Sequence, residues 1–91
     1  MEIVDLIPFG HDNGRTAREL SDLTGITERK IRDYIAIERH KTIILNLQDG
    51  FGYFRPQENE KELVRVWVAQ EERRLRSIGY GLKEARKAVR G

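Results

Sequence analysis

Thr16-Ala17-Arg18-Glu19-Leu20-Ser21-Asp22-Leu23-Thr24-Gly25-Ile26-Thr27-Glu28-Arg29-Lys30-Ile31-Arg32-Asp33-Tyr34-Ile35 is the stretch on which the fold turns. Thr16 and Glu19 stand at the spacing of a capping box, in which a hydroxyl caps a helix start and a carboxylate reaches back. The helix they open is predicted to run to about Thr24, burying Ala17, Leu20 and Leu23. Gly25 supplies the left-handed residue that stops it. Thr27 then caps a further helix, along which Ile31, Tyr34 and Ile35 recur at helical spacing and face inward. That helix is predicted to fade between Arg39 and Lys41. Two helices joined by a short glycine turn result.

Downstream, Thr42-Ile43-Ile44-Leu45-Asn46-Leu47 is rich in β-branched residues and reads as a strand. Asp49-Gly50 is a strong hairpin-turn signal, Gly52-Tyr53-Phe54-Arg55 reads as the returning strand, and Pro56 ends it. Tyr53 and Phe54 alternate across that strand, so one faces the core and the other solvent or DNA. Phe51 is read as bracing the turn, the alternative being contact with a minor groove or a partner. Upstream, Ile3, Val4, Leu6 and Ile7 predict a short helix before a polar loop over 10–14. Past Pro56, Asn59 and Glu62 mark a helix start, and a long helix is predicted over 60–78. Leu63, Val64, Trp67, Val68, Leu75 and Ile78 share one broad face of it. Gly79-Tyr80-Gly81 is read as a break before a final basic helix over 82–90. The expected fold is α+β: a winged helix-turn-helix of three helices and a two-stranded β-wing over residues 1–57, then a helical extension over 58–91.

With 91 residues the chain makes one domain with at most a terminal appendage. Charged residues are 35% and hydrophobic ones 38%, the latter too periodic for a disordered chain. The absence of cysteine excludes disulfides and thiolate zinc sites. The two histidines, His11 and His40, have no paired spacing that suggests a metal. No serine–histidine–acid set or glycine-rich phosphate loop is visible, so neither an enzyme nor a cofactor is expected. The acidic start, Glu2 and Asp5, lacks the bases of a signal peptide, and no apolar run approaches a bilayer span, so a cytoplasmic location is expected. The net charge is +2 but unevenly spread. Arg73, Arg74, Arg76, Lys83, Arg86, Lys87 and Arg90 face only Glu84 over residues 73–91, which suggests a polyanion partner.

A capped helix pair with a glycine turn is the arrangement whose second helix enters the DNA major groove. With Ile31 and Tyr34 inward, Thr27, Glu28, Arg29, Arg32, Asp33 and Ala36 are left facing out. Arginines suit guanine, carboxylates suit cytosine amino groups and hydroxyls suit phosphate. The expected double-stranded DNA contacts are therefore Thr16, Thr27, Glu28, Arg29, Lys30, Arg32, Asp33, Ala36, Lys41 and Arg55, the last a phosphate contact from the wing. The apolar face of the long helix has two readings: a cover for the core, or a homodimer seam through Leu63, Trp67 and Leu75. A different class of function also fits, a protein-interaction module that never touches DNA.

Leu20, Gly25-Ile26-Thr27, Ile31-Arg32, Ile35 and Gly52-Tyr53 together resemble the winged helix-turn-helix superfamily, which includes bacterial repressors. Glu38-Arg39, Gly52-Tyr53-Phe54-Arg55-Pro56 and the basic segment from Arg73 are similar to small prophage-encoded winged-helix proteins of Firmicutes. That resemblance implies DNA binding in the regulation of transcription, or in the replication or excision of a mobile element. One residue departs from the pattern: Glu38 stands where a leucine is usual. Either it pairs with Arg18 or Arg39, or the helix ends early and Ile37 takes the inward place.

Overall fold

The capping box forms. The computed structural model of the protein describes residues 2–90. Thr16 Oγ1 accepts from the Glu19 amide and the Glu19 carboxylate accepts from the Thr16 amide, both at 3.1 Å. Helix α1 spans Ala17–Thr24, and Gly25 closes it at φ 75° with its amide donating to the Ser21 carbonyl. Thr27 Oγ1 accepts from the Lys30 amide, and helix α2 spans Glu28–Glu38. A 3-10 turn over Ile3–Leu6 stands where a short N-terminal helix is predicted.

Leu20 of α1 meets Ile31 and Ile35 of α2 in a core completed by Ile7, Ala17 and Ile44. Five of these six are essentially inaccessible, and each such side chain contributes about 1.5–3 kcal/mol relative to an exposed one. The helix phases differ from the expected ones in two places. Leu23 and Tyr34 face outward, 60% and 43% exposed, because the core spans less arc than the apolar periodicity of either helix. Glu38, not Ile37, takes the inward place: α2 continues to Glu38, which is buried, while Ile37 is 63% exposed. Neither Arg18 nor Arg39 pairs with Glu38; Lys41 Nζ approaches Oε1 at 3.7 Å, and Oε2 has no hydrogen-bond partner.

No β-strand and hence no β-wing is present among the described residues, which overturns the α+β winged expectation. The stretches at 42–47 and 52–55 meet at one antiparallel bridge, Leu45 with Phe54. Gln48, Gly50 and Gly52 all have positive φ, so the connection is a wound loop instead of a two-residue turn. The returning segment also divides its hydrogen bonds among three neighbours. Phe54 exchanges both backbone bonds with Leu45, Tyr53 exchanges both with Arg15, and the Arg55 amide donates to the Pro8 carbonyl. A residue pledged to a different neighbour at each step cannot propagate a ladder with any of them. Phe54 is fully buried, the largest such side chain, and Tyr53, half-buried, packs against the core as well, so the expected division into one inward and one outward ring is not met.

The loop over 46–52 is held by its acid. The Asp49 carboxylate accepts from the Phe51 amide at 3.2 Å, and its other oxygen lies 2.6 Å from His11 Nε2. Phe51 stacks on His11 at 4.4 Å between centroids. The hydrogen bond to Asp49 raises the His11 pKa above its ordinary value, against the opposing effect of burial. For Asp49, burial works to raise the carboxyl, but the bonds from His11 and Phe51 outweigh it and lower the pKa. The histidine's contribution to stability is present below its ordinary pKa and lost as pH rises through the raised value. The aspartate's is present above its ordinary pKa and lost as pH falls through the lowered one. The tether is therefore strongest between about pH 4 and about pH 6.5. The melting-temperature difference between the protein and a His11→Ala variant is expected to shrink from about pH 6 to about pH 9; a constant difference would mean the ion pair contributes nothing.

The long helix starts within one residue of the expected position, but its capping pair lies two residues before the expected one. Gln57 and Glu60 form the capping box in place of Asn59 and Glu62, a 3-10 turn covers Glu58–Glu60, and α3 runs over Lys61–Arg90. Gly79 and Gly81 do not break it: helical glycine costs about 1 kcal/mol each but leaves the backbone bonds intact. The predicted 60–78 helix and 82–90 helix are thus one. Only its first part rests on the body, through half-buried Leu63, Val64, Trp67, Gln70 and Glu71; every residue over 72–90 is exposed. The molecule is correspondingly long, 49 × 32 × 24 Å. Its radius of gyration is 15.8 Å. A compact chain of this length would have about 12 Å.

Candidate nucleic-acid interface

Helix α2 turns Ile31, Ile35 and Glu38 inward, which leaves Glu28, Arg29, Lys30, Arg32, Asp33 and Ala36 exposed together with the cap Thr27. Arg29 and Lys30 form no ion pair among the described residues. Arg32 lies 3.5 Å from Glu28 one turn back, both well exposed, an interaction worth only a few tenths of a kcal/mol. The Thr27 hydroxyl is engaged in the cap, so its remaining lone pair and its proton are what it offers a ligand.

Beside this face lies a polar cleft of about 500 Å³. Arg32 enters it from α2, Arg74 and Glu71 from α3, Asn46, Gln48 and Tyr53 from the loop and its return, and Thr16 from the α1 cap. Arg39 closes its floor. Its Nε donates to the Ile44 carbonyl at 2.9 Å, and its guanidinium lies 5.1 Å from the Trp67 ring and 5.7 Å from that of Tyr53. Burial lowers the Arg39 pKa, with Tyr53 and Glu71 opposing the shift; an arginine so placed still carries its charge. Arg74 is shared with Glu71 at 3.3 Å. Three guanidinium groups against one carboxylate give the cleft a positive field, and phosphate is the ligand whose geometry arginine forks match.

Neither protein-family models, nor curated proteins, nor solved structures give a match to the chain. The site therefore rests on its own geometry. Thr16, Thr27, Glu28, Arg29, Lys30, Arg32, Asp33 and Ala36 lie on or beside the outer α2 face and the cleft. Lys41 stands at the far end of α2 against Glu38. Arg55 is occupied within the fold: its Nε donates to the Ile7 carbonyl at 2.7 Å and its guanidinium stacks on Phe9 at 4.1 Å. Of the three seam residues, Leu63 and Trp67 are half-buried, with Trp67 stacked against Arg39, while Leu75 is 69% exposed. They do not share one open surface. Arg39, Asn46, Gln48 and Glu71 are absent from the expected contacts, because the cleft exists only where α3 passes the 46–52 loop. No local motif announces that crossing.

A second concavity lies on the opposite edge of α2. Ile3, Leu6, Leu23, Ile26, Tyr34 and Ile37 line an apolar groove of about 630 Å³, with Glu38 in its wall. No group of three or more His, Cys, Asp or Glu is placed to hold a metal ion among the described residues. No helix there is long and apolar enough to cross a membrane.

Proposed function

We propose that the protein binds double-stranded DNA, with the outer face of α2 in the major groove and the adjoining arginine cleft on the phosphate backbone. The observation that carries this reading is the position of Arg32, which belongs to both the open face and the cleft. A helix whose recognition face continues into a positive cleft can read base edges while the backbone fixes its register. Regulation of transcription or replication in a mobile element is the role this activity would serve. Titration of a fluorescent random-sequence duplex tests the binding, followed by selection of preferred sites.

The projecting part of α3 extends the positive surface. Replacing Arg73, Arg76, Lys83 and Lys87 together by glutamine is expected to flatten the log–log salt dependence of binding by about 0.9 for each phosphate no longer neutralised. Sequence preference is expected to survive, because phosphate contacts position without specifying. Equal slopes for the two proteins would remove this stretch from the DNA surface. The apolar groove of Leu23, Tyr34 and Ile37 favours a second reading, a protein-interaction module; failure of every duplex to bind at low salt would leave that reading in place.

A further inference from the structure

The exposed half of α3 carries a pattern that its own fold leaves unused. Val68, Leu75, Leu82 and Val89 recur every seven residues, and Ile78 and Ala85 fall three beyond Leu75 and Leu82. This is the a/d spacing of a coiled coil. All of these residues are exposed, Leu75 at 69%, Ile78 at 56%, Leu82 at 50% and Val89 at 87%. Arg73, Arg76, Lys83, Lys87 and Arg90 lie off the seam, on the outer side. A lone helix over 72–90 containing two glycines is marginal in water, so an apolar seam along it has a stabilising part to play.

We infer that the seam is covered by the same stretch of a second copy, running antiparallel. The charges decide the direction. A parallel pair would stack Glu71 on Glu71 inside the seam and would leave Glu72 and Arg86 facing Trp67 and Gly81. The antiparallel pair sets Ile78 opposite Leu82 of the second copy, Leu75 opposite Ala85 and Glu71 opposite Val89. In that register Glu72 flanks Arg86 of the second copy on one edge, twice by symmetry. Gly79 and Gly81 then lie at the crossing point, where each has open space around it and neither holds the two backbones apart. The overlap over 71–89 is about 27 Å long. The basic residues stay outward, and the two bodies sit at opposite ends of a shared rod. Self-pairing of this kind does not require that α2 meet DNA, although the seam ends at Glu71, which also lines the arginine cleft.

Sedimentation velocity and cysteine pairing test it. The protein is expected to sediment as a dimer at roughly 100 μM and to dissociate on dilution. A Leu75→Glu/Leu82→Glu variant is expected to be monomeric with unchanged Trp67 fluorescence, since both side chains lie beyond the body. The chain has no cysteine, so introduced ones report alone. A mixture of Leu75→Cys and Ala85→Cys proteins is expected to form the mixed disulfide, and neither variant alone to cross-link. A monomer at the higher concentration overturns the inference. So does a dimer that survives the double glutamate change, which would place the contact elsewhere, for example at the apolar groove. Cross-linking of Leu75→Cys with itself would reverse the orientation and overturn it equally.

Discussion

Gly52→Ala is expected to lower the stability of the fold by about 3–5 kcal/mol and the melting temperature by roughly 15 °C or more. Gly52 has φ 85°, where a side chain costs about 1–2 kcal/mol on its own. Space is the larger obstacle. A Cβ built on Gly52 would overlap the Arg15 carbonyl and the Thr16 amide nitrogen, backbone atoms that cannot turn aside. Those atoms are close because Tyr53 and Arg15 exchange both their backbone hydrogen bonds, which draws the loop against the start of α1. Gly50 supplies the control. Its φ is 91°, yet nothing lies within 4 Å of the position a Cβ would take. Gly50→Ala should cost only the conformational part, about 1–2 kcal/mol. Thermal melting of the two variants separates the terms, and equal losses would show that the contact with Arg15 does not constrain the loop.

The second large effect concerns binding. Removing both Arg29 and Arg32 is expected to weaken affinity for a preferred duplex by roughly a hundredfold, since each bidentate contact contributes about 1–3 kcal/mol of discrimination. Stability should barely change. Both side chains are exposed, and the pair of Arg32 with Glu28 is worth only a few tenths of a kcal/mol. That contrast makes the pair informative: weaker binding with folding intact belongs to the surface alone.

What the sequence disclosed was local. Thr16 with Glu19, Gly25 and Thr27 each act within a few residues, through a hydroxyl, a carboxylate or a left-handed backbone, and α1 and α2 stand where they predict. The hairpin failed because its evidence was equally local but its outcome was not. β-branched residues at 42–47 and the Asp49-Gly50 turn favour a ladder, yet Arg15 and Pro8 compete for the same backbone groups from a distance of some forty residues. The continuity of α3 was hidden for the opposite reason. Gly79 and Gly81 weaken a helix without ending it, and flanking helix formers carry the backbone through.

The site divides the same way. The outer face of α2 follows from helical periodicity once Ile31 and Ile35 are inward, although Tyr34, expected inward, faces out, and Glu38 keeps the inward place its position implies despite its charge. Arg55 was legible as a cation but not as one already engaged by the Ile7 carbonyl and the Phe9 ring. The arginine cleft required knowledge of where α3 crosses, and so did the recognition that Leu63 and Trp67 belong to the body while Leu75 does not.

The claim that the open face of α2 reads DNA is met most directly by one titration. A fluorescent duplex carrying a preferred site selected from random sequence is titrated at a single low salt concentration with the protein and with its Arg29→Ala/Arg32→Ala variant, the melting temperature of each being recorded alongside. Binding by the first is expected, with an affinity roughly a hundredfold weaker for the second and matching melting temperatures. Binding of equal strength by both proteins, or by neither, would contradict it.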